Sequence, residues 1–293
     1  MKDRTTGYRI FTVCNCLFLG ALALACLYPF YYVVVASISD PNELVKHQGL
    51  LFAPLKEMTL AGYRMVFQNK LVLSGYRNTL IILAVGLVFN LVLTTMGAYV
   101  LSLKDLLLRK PLTILVIVTM YFSGGLVPTY LNIRDLGLMD SMWSLIIPGA
   151  ITTSNLIIMR SAFMAVPDSL PEAAKMDGAS HLQVLLYVML PLVKATMAVM
   201  VLYYGVAHWN AWFNASIYLR SSSKYPLQLV LRNILMQSQT TDMMSDIGAA
   251  ESPQVLQLIK YSLIVVSSVP IMAIYPFLQR FFQKGVTMGA VKG

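Results

Sequence analysis

The residues able to do chemistry in this 293-residue chain are few and scattered. His47, His181 and His208 fall on three different segments, so spacing pairs no imidazole with a base, a nucleophile or a metal ligand. Cys14, Cys16 and Cys26 share one apolar block. Their C-x-C pair hints at metal, but polarisable side chains packed in an apolar helix explain it better, and no disulfide framework can be drawn. No G-x-x-x-x-G-K-S/T run exists to cradle nucleotide phosphates. Gly124-Gly125 reads as a close-packing or bending point. The chain is therefore expected to be no enzyme and to hold no metal or cofactor of its own.

What remains is chemistry of contact. The segment 166–181 reads VPDSLPEAAKMDGASH. Ser169 can cap a short helix, with Pro171 in its first turn and Glu172 three residues after the cap, the pattern of a capping box. Gly178 ends that helix, being free to take positive φ. Ser180 and Gln183 repeat the capping pattern for a second helix, and Leu190-Pro191 marks entry to the next apolar stretch. Ala173 and Ala174 keep one side small, so a partner can approach closely. Charged neighbours suit a water-exposed contact with a soluble subunit. Asp177 and His181 read as solvated neighbours rather than proton carriers.

A second group lies at 203–214. Tyr203, Tyr204, His208, Trp209, Asn210, Trp212 and Asn214 offer rings that stack on sugar CH faces and amides that fix hydroxyls. The same aromatics, near the end of an apolar stretch, also fit an interfacial belt. Asn155 and Arg160 are weaker candidates, and Arg160 reads first as a surface anchor.

The elements that must hold these residues are membrane helices. Charged residues make up 12% of the chain, hydrophobic ones 57%, and mean hydropathy is +0.68. A soluble domain carries about 25% charged residues; half of that leaves too few to solvate a surface, so most of it faces lipid. The net charge of +9 is spread between apolar blocks, which points to orientation and anionic headgroups rather than nucleic acid. Six stretches are long enough to span, at about 10–36, 78–102, 111–131, 143–163, 190–213 and 261–282. The first follows Lys2, Arg4 and Arg9 and runs too far for a secretory signal, so it is expected to stay as an anchor. The fourth holds Pro148, Gly149 and Asn155, and suits a bundle interior. The polar segments are an outer one at 37–77, an inner loop at 164–189 and an outer loop at 214–260. Within the first, Leu60, Tyr63, Val66 and Phe67 suggest a short surface helix after a Thr59 cap. With a cytoplasmic N-terminus, most Lys and Arg fall on short inner segments, which places both termini inside. No acid lies within any of the six stretches, against an ion-coupled secondary transporter.

The loop carries a specific resemblance. Glu172-Ala173-Ala174, then Gly178, then Val188-Met189-Leu190-Pro191 is similar to the EAA pattern of permease subunits of ATP-binding-cassette (ABC) importers, with Val188 where Ile is commonest. The C-terminal string with Lys284, Gly285, Gly289 and Lys292 resembles the tail of MalG-like carbohydrate-uptake permeases, as do Trp209 to Asn214 and Lys224-Tyr225-Pro226-Leu227. Within that family the chain looks closest to the branch importing acidic oligosaccharides such as alginate or pectin fragments.

The resemblance implies an all-α fold of the six-helix, MetI-like type I importer kind, in a bacterial inner membrane. The region 1–9 would be a cytoplasmic N-terminal tail, 10–282 the permease domain and 283–293 a cytoplasmic C-terminal tail. Residues around Glu172, Ala173, Ala174, Asp177, Gly178, Leu190 and Pro191 would form a coupling helix seated on an ATPase subunit. Glu172 would pair there with a basic residue, a role compatible with capping. The tail would reach between two ATPases, and the loop 214–260 would meet an extracytoplasmic solute-binding protein. ATP and Mg would sit on the ATPase subunits, and a second permease would complete the pathway for an oligosaccharide. A permease for another solute class is the alternative within this architecture.

Overall fold

The computed structural model describes residues 6–244 and 253–290, with side chains described over 6–236, over 257–274 and at 276. Every regular element among them is helical. The order begins α1 (Thr6–Ser37), α2 (Pro41–Lys46), α3 (Ala61–Gln68), α4 (Lys70–Ser102), α5 (Arg109–Tyr121) and α6 (Leu126–Asp135). It continues through α7 (Trp143–Ile146), α8 (Thr153–Met164), α9 (Ser169–Met176), α10 (His181–Gln183) and, after a π-helical Val184–Met189, α11 (Leu190–Leu192). The last elements are α12 (Lys194–Trp209), α13 (Phe213–Tyr218), α14 (Leu227–Met244) and α15 (Pro253–Ala290). Two compact units divide the chain, Met1–Asn69 with Asn233–Val269 and Lys70–Arg232 with Pro270–Gly293.

In the first unit α1 is apolar on all sides and buries only Val35, Ala36 and Ser37. A helix of that composition, bare of packing, has lipid as its solvent. Its end packs with Leu44 and Leu51, beside Tyr32 and Tyr261. Asp40 caps α2 by accepting from the Asn42 and Glu43 amides, with Pro41 at the first helical position. Thr59 does not cap α3 in the expected way. Its hydroxyl accepts from the Ala61 amide at 3.2 Å, while Leu60 holds the cap position with no side-chain bond. The inward face of α3 is Tyr63, bonded to Ser37 at 2.6 Å, and buried Val66; Leu60 and Phe67 stay exposed.

The second unit is organised by α4. Gly75, Asn78 with Thr79, Ile82, Gly86, Asn90, Thr94 and Ala98 recur at helical spacing along one face and are buried. A small and polar stripe of this kind lets helices approach closely inside a membrane, where lipid already solvates apolar surface. Asn78 donates to the Ser223 and Tyr225 carbonyls, and the Leu227 amide donates to Thr79 at 2.8 Å. The segment 214–260, expected as an outer loop, is thus partly helical. Buried Leu227, Leu229 and Val230 pack the start of α14, up to Arg232, within this unit.

Two expected spans are bent and one is interrupted. Between α5 and α6 the axis turns by 112° at residues 122–125, where Gly125 takes φ +85°, a value that suits glycine. Between Leu192 and Lys194 it turns by 87°. The stretch 143–163 is helical only at its two ends, because Pro148 and Gly149 break it at 147–152. Unpaired backbone is costly in an apolar interior. Here the Asn90 amide donates to the carbonyls of Gly149 at 2.7 Å and Ala150 at 3.0 Å, and the Thr152 amide donates to Tyr204 at 3.1 Å.

At one end of this unit Asp140, at φ +53°, clips two loops together. Its carboxylate accepts from the Ser221 hydroxyl at 2.6 Å, the Ser221 and Arg220 amides, and Lys224 at 2.9 Å. Those bonds, Ser221's first, hold the carboxyl well below the usual carboxylate range. Beneath the clip Ile133, Leu145, Ile146, Ala215, Tyr218 and Leu219 form an apolar cluster.

Candidate functional site

The loop 164–189 folds as two short helices and a π turn. Its first helix begins one residue earlier than the sequence suggests. The Leu170 amide reaches the Pro167 carbonyl at 3.2 Å, so Ser169 is already helical and cannot cap. Asp168 takes the cap position in αR geometry with no cap bond, and its carboxylate pairs with Lys104 instead. The expected capping box of Ser169 and Glu172 is therefore absent. The Glu172 amide bonds the Asp168 carbonyl at 3.1 Å, and the Glu172 side chain is left at an exposed position.

The far end of α9 follows its sequence closely. The Ala179 amide bonds the Ala174 carbonyl at 2.9 Å and the Gly178 amide bonds the Lys175 carbonyl at 3.0 Å, the paired bonds of a Schellman motif. Gly178 supplies the required φ of +85°. A Cβ there would meet nothing within 4 Å, so backbone conformation rather than crowding demands glycine. Ser180 and Gln183 form the predicted capping box, with bonds of 2.8 and 3.4 Å.

This elbow is clamped to the ends of α4 and α8. Val184, Leu185, Met189 and Val193 are buried with Tyr99, Leu101, Met159 and Phe163, and Ala174, Ala179, Val188 and Leu190 pack against that core. Tyr99 and His181 share a hydrogen bond of 3.1 Å. Pro191 stands at the start of α11 and Val193, at φ −102° and ψ 20°, separates α11 from α12.

Outward the loop presents Leu170, Glu172, Ala173, Met176, Asp177 and Gly178. Met176 is 88% exposed, more than any apolar side chain on α9 needs to be. Leu170, Ala173 and Met176 recur every three residues, so they share one helix face, with Glu172 and then Lys175 along one of its sides. Sequence reasoning did not single out Leu170 and Met176 as exposed apolar residues, although that spacing was present to be read. A cleft of about 150 Å³ beside the elbow is lined by Lys104, Asp105, Arg109, Asp168, Glu172 and Lys175. The chemistry on offer is docking: a small, partly apolar face with charges at its edges.

The aromatic and amide group at 203–214 is divided. Tyr204, His208 and Trp209 are buried and occupied within the unit. Tyr204 bonds Thr94 at 2.7 Å, His208 bonds Asn90 at 2.7 Å, and Trp209 packs edge-on against Tyr76 at 6.4 Å. Tyr204 directly, and His208 through Asn90, hold the interrupted backbone at 147–152 in place. Tyr203, Asn210 and Asn214 are exposed, and Trp212 lies under the Arg232 guanidinium at 3.8 Å from the ring centre. Asn155 is buried, and Arg160 donates to the Leu101 carbonyl at 3.0 Å. Lys284, Gly285 and Gly289 lie on the helical backbone of α15, whereas Lys292 falls outside the described residues. No group of three metal-binding side chains occurs among the described residues.

Residues 79–288 match the model of a family described as "Binding-protein-dependent transport system inner membrane component". The chain is 39% identical over 277 residues to the polygalacturonan/rhamnogalacturonan transport system permease protein YtcP of Bacillus subtilis (strain 168), covering 94% of this chain and 96% of that one. It is 40% identical over 290 residues to the protein LplC of the same organism, covering 99% and 97%. A chain in a crystal structure of a bacterial ABC transporter involved in the import of the acidic polysaccharide alginate superposes with a TM-score of 0.86 at 31% identity, covering 96% of this chain and all of the other.

Proposed function

The chain belongs to the family of binding-protein-dependent transport system inner membrane components, a multi-pass membrane permease family, and on that premise we propose that it imports oligosaccharides by passing force from a separate ATPase to its own helices. The elbow at 164–189 is the transmitting part. The observation that carries this reading is its construction: one side is locked into the core through Val184, Met189 and the Lys104–Asp168 pair, and the other offers Leu170, Glu172, Ala173 and Met176 to a partner. A push on that face reaches α12 through continuous packing.

Two ATPase subunits would bind and hydrolyse ATP with Mg, this chain supplying no phosphate-binding loop. A second permease would complete the pathway, and an extracytoplasmic binding protein would deliver the cargo to the end of the bundle clipped by Asp140. Both chain termini and the elbow would lie on the cytoplasmic side. ATPase closure would favour one of two bundle arrangements by binding it more tightly. Names given to YtcP and to the alginate importer support an acidic oligosaccharide as cargo.

Co-purification tests the partnership: a tagged chain is expected to bring down an ATPase. Glu172→Lys and Gly178→Trp are expected to abolish transport-coupled ATP hydrolysis while the protein remains in the membrane. Coupling at the wild-type level in both variants would overturn the docking role. Isothermal titration of the cognate binding protein with galacturonate and mannuronate oligomers tests the cargo, and binding of neutral sugars alone would reject the acidic class.

A further inference from the structure

A second polar site lies beside the elbow. Lys104, Arg109, Lys110 and Arg160 line an open pocket of about 700 Å³ together with Leu106, Leu107, Pro111, Thr113 and Ile114. Among the described residues no carboxylate lies within ion-pair distance of Arg109, Lys110 or Arg160; Lys104 alone has one, Asp168. Arg160 spends its Nε on the Leu101 carbonyl, and the side-chain bond of Arg109 goes to the weak acceptor Met164 Sδ. Arg109, Lys110 and Arg160, which have no ion pair among the described residues, crowd positive charge that an anion would relieve.

The rim says which anion. Leu107 is 96% exposed, and Leu108, Leu112, Ile114, Leu115 and Val118 continue an exposed apolar surface along α5, which buries no residue at all. The pocket sits where α4 and α8 end and α5 begins, at the boundary between apolar helix and polar loop. α5 starts there without a side-chain cap, which adds the positive end of its dipole. A basic floor continued by an apolar wall matches an amphiphile with a phosphate head and hydrocarbon tails.

We propose that this pocket binds the phosphate headgroup of an anionic membrane lipid, with the acyl chains lying along α5. Arg109 and Lys110 hold the phosphate from the helix start, Arg160 from α8. The site is distinct from the docking face of α9, which lies across the Lys104–Asp168 pair.

The test uses the transporter assembled with its partner subunits in nanodiscs of phosphatidylcholine, with labelled phosphatidylglycerol as the probe and retention on purification as the readout. Wild type is expected to retain the probe. Arg109→Gln and Lys110→Gln are each expected to weaken retention by about fivefold, the effect of one basic residue near an anionic surface. Arg109→Lys is expected to keep it, which separates charge from folding. Millimolar inorganic phosphate is expected to leave the probe bound; displacement by it would reassign the pocket to a soluble phosphate and overturn the lipid. Retention at the wild-type level in both Gln variants would also overturn the proposal. So would protection of a Lys110→Cys thiol from maleimide by the ATPase but not by phosphatidylglycerol.

Discussion

Asn90 stands 2.7 Å from His208 through its carbonyl oxygen while its amide faces the opposite way, toward the broken backbone at Gly149. One side chain on α4 therefore joins α12 to the interrupted helix, and the break at 147–152 is held rather than loose. Buried polar groups in a membrane interior persist only when they are satisfied in this manner.

Asn90→Leu is expected to leave the Gly149 and Ala150 carbonyls and the His208 ring without partners. Each unmade bond costs about 1–3 kcal/mol, so thermal unfolding in detergent should fall markedly. Asn90→Asp removes the donor alone, and should be destabilised as well even though its shape is kept. Wild-type stability in both would mean that the break at 147–152 needs no support from α4.

Gly86 and Gly149 separate crowding from conformation. A Cβ on Gly86 would sit 2.6 Å from His208 Nε2, whereas one on Gly149 would meet nothing within 4 Å. Gly86→Ala is expected to push His208 off Asn90 and to cost about 1–3 kcal/mol. Gly149→Ala is expected to be close to neutral, and comparing their melting temperatures checks both.

Gly178→Ala tests the Schellman turn without adding bulk to the proposed docking face. Positive φ costs a residue with a side chain about 1–2 kcal/mol. A modest loss of coupled ATP hydrolysis is expected, with Gly178→Asn closer to wild type because asparagine tolerates that region. Equal activities of the Ala, Asn and wild-type transporters would show that the turn's geometry does not matter.

Asp140 gives a pH prediction. Its folded carboxyl titrates below the unfolded value of about 3.9. The contribution of the clip is therefore fully present above that value and lost only as pH falls through the lower folded one. Protection of the Arg220 and Ser221 amides from hydrogen exchange, relative to the unstructured rate at each pH, should stay constant between about pH 5 and 8. Asp140→Asn should lower it throughout that range, since the Lys224 pairing is then gone at every pH.

The parts of the site that could be read from the sequence are those whose causes lie within a turn or two. Gly178 needed only its position after Ala174 and Lys175, and Ser180 only Gln183 three residues on. The Gly124-Gly125 pair marked a bend for the same reason. Features set from far along the chain were not readable. Asp168, not Ser169, stands at the cap position, and its carboxylate pairs with Lys104, 64 positions away. Tyr204 and His208 carry the residue types of a sugar site, yet they are spent on Thr94 and Asn90, more than 100 positions earlier. Hydropathy likewise reported 143–163 as one apolar stretch, because it sums side chains and is blind to a backbone interrupted at Pro148.

The π-helical stretch Val184–Met189 sets the phase between the elbow and the helices above it. Such a stretch accommodates one residue more than an α-helix would over the same axial length, and each residue of α-helix turns its successor by about 100°. Removing a single residue there would let the strand of hydrogen bonds relax into an ordinary spiral, at the expense of swinging Leu170, Glu172 and Met176 about a quarter of a revolution around that axis. The extra residue thus works like the keyway on a shaft: it fixes the angle at which the lever meets whatever turns it.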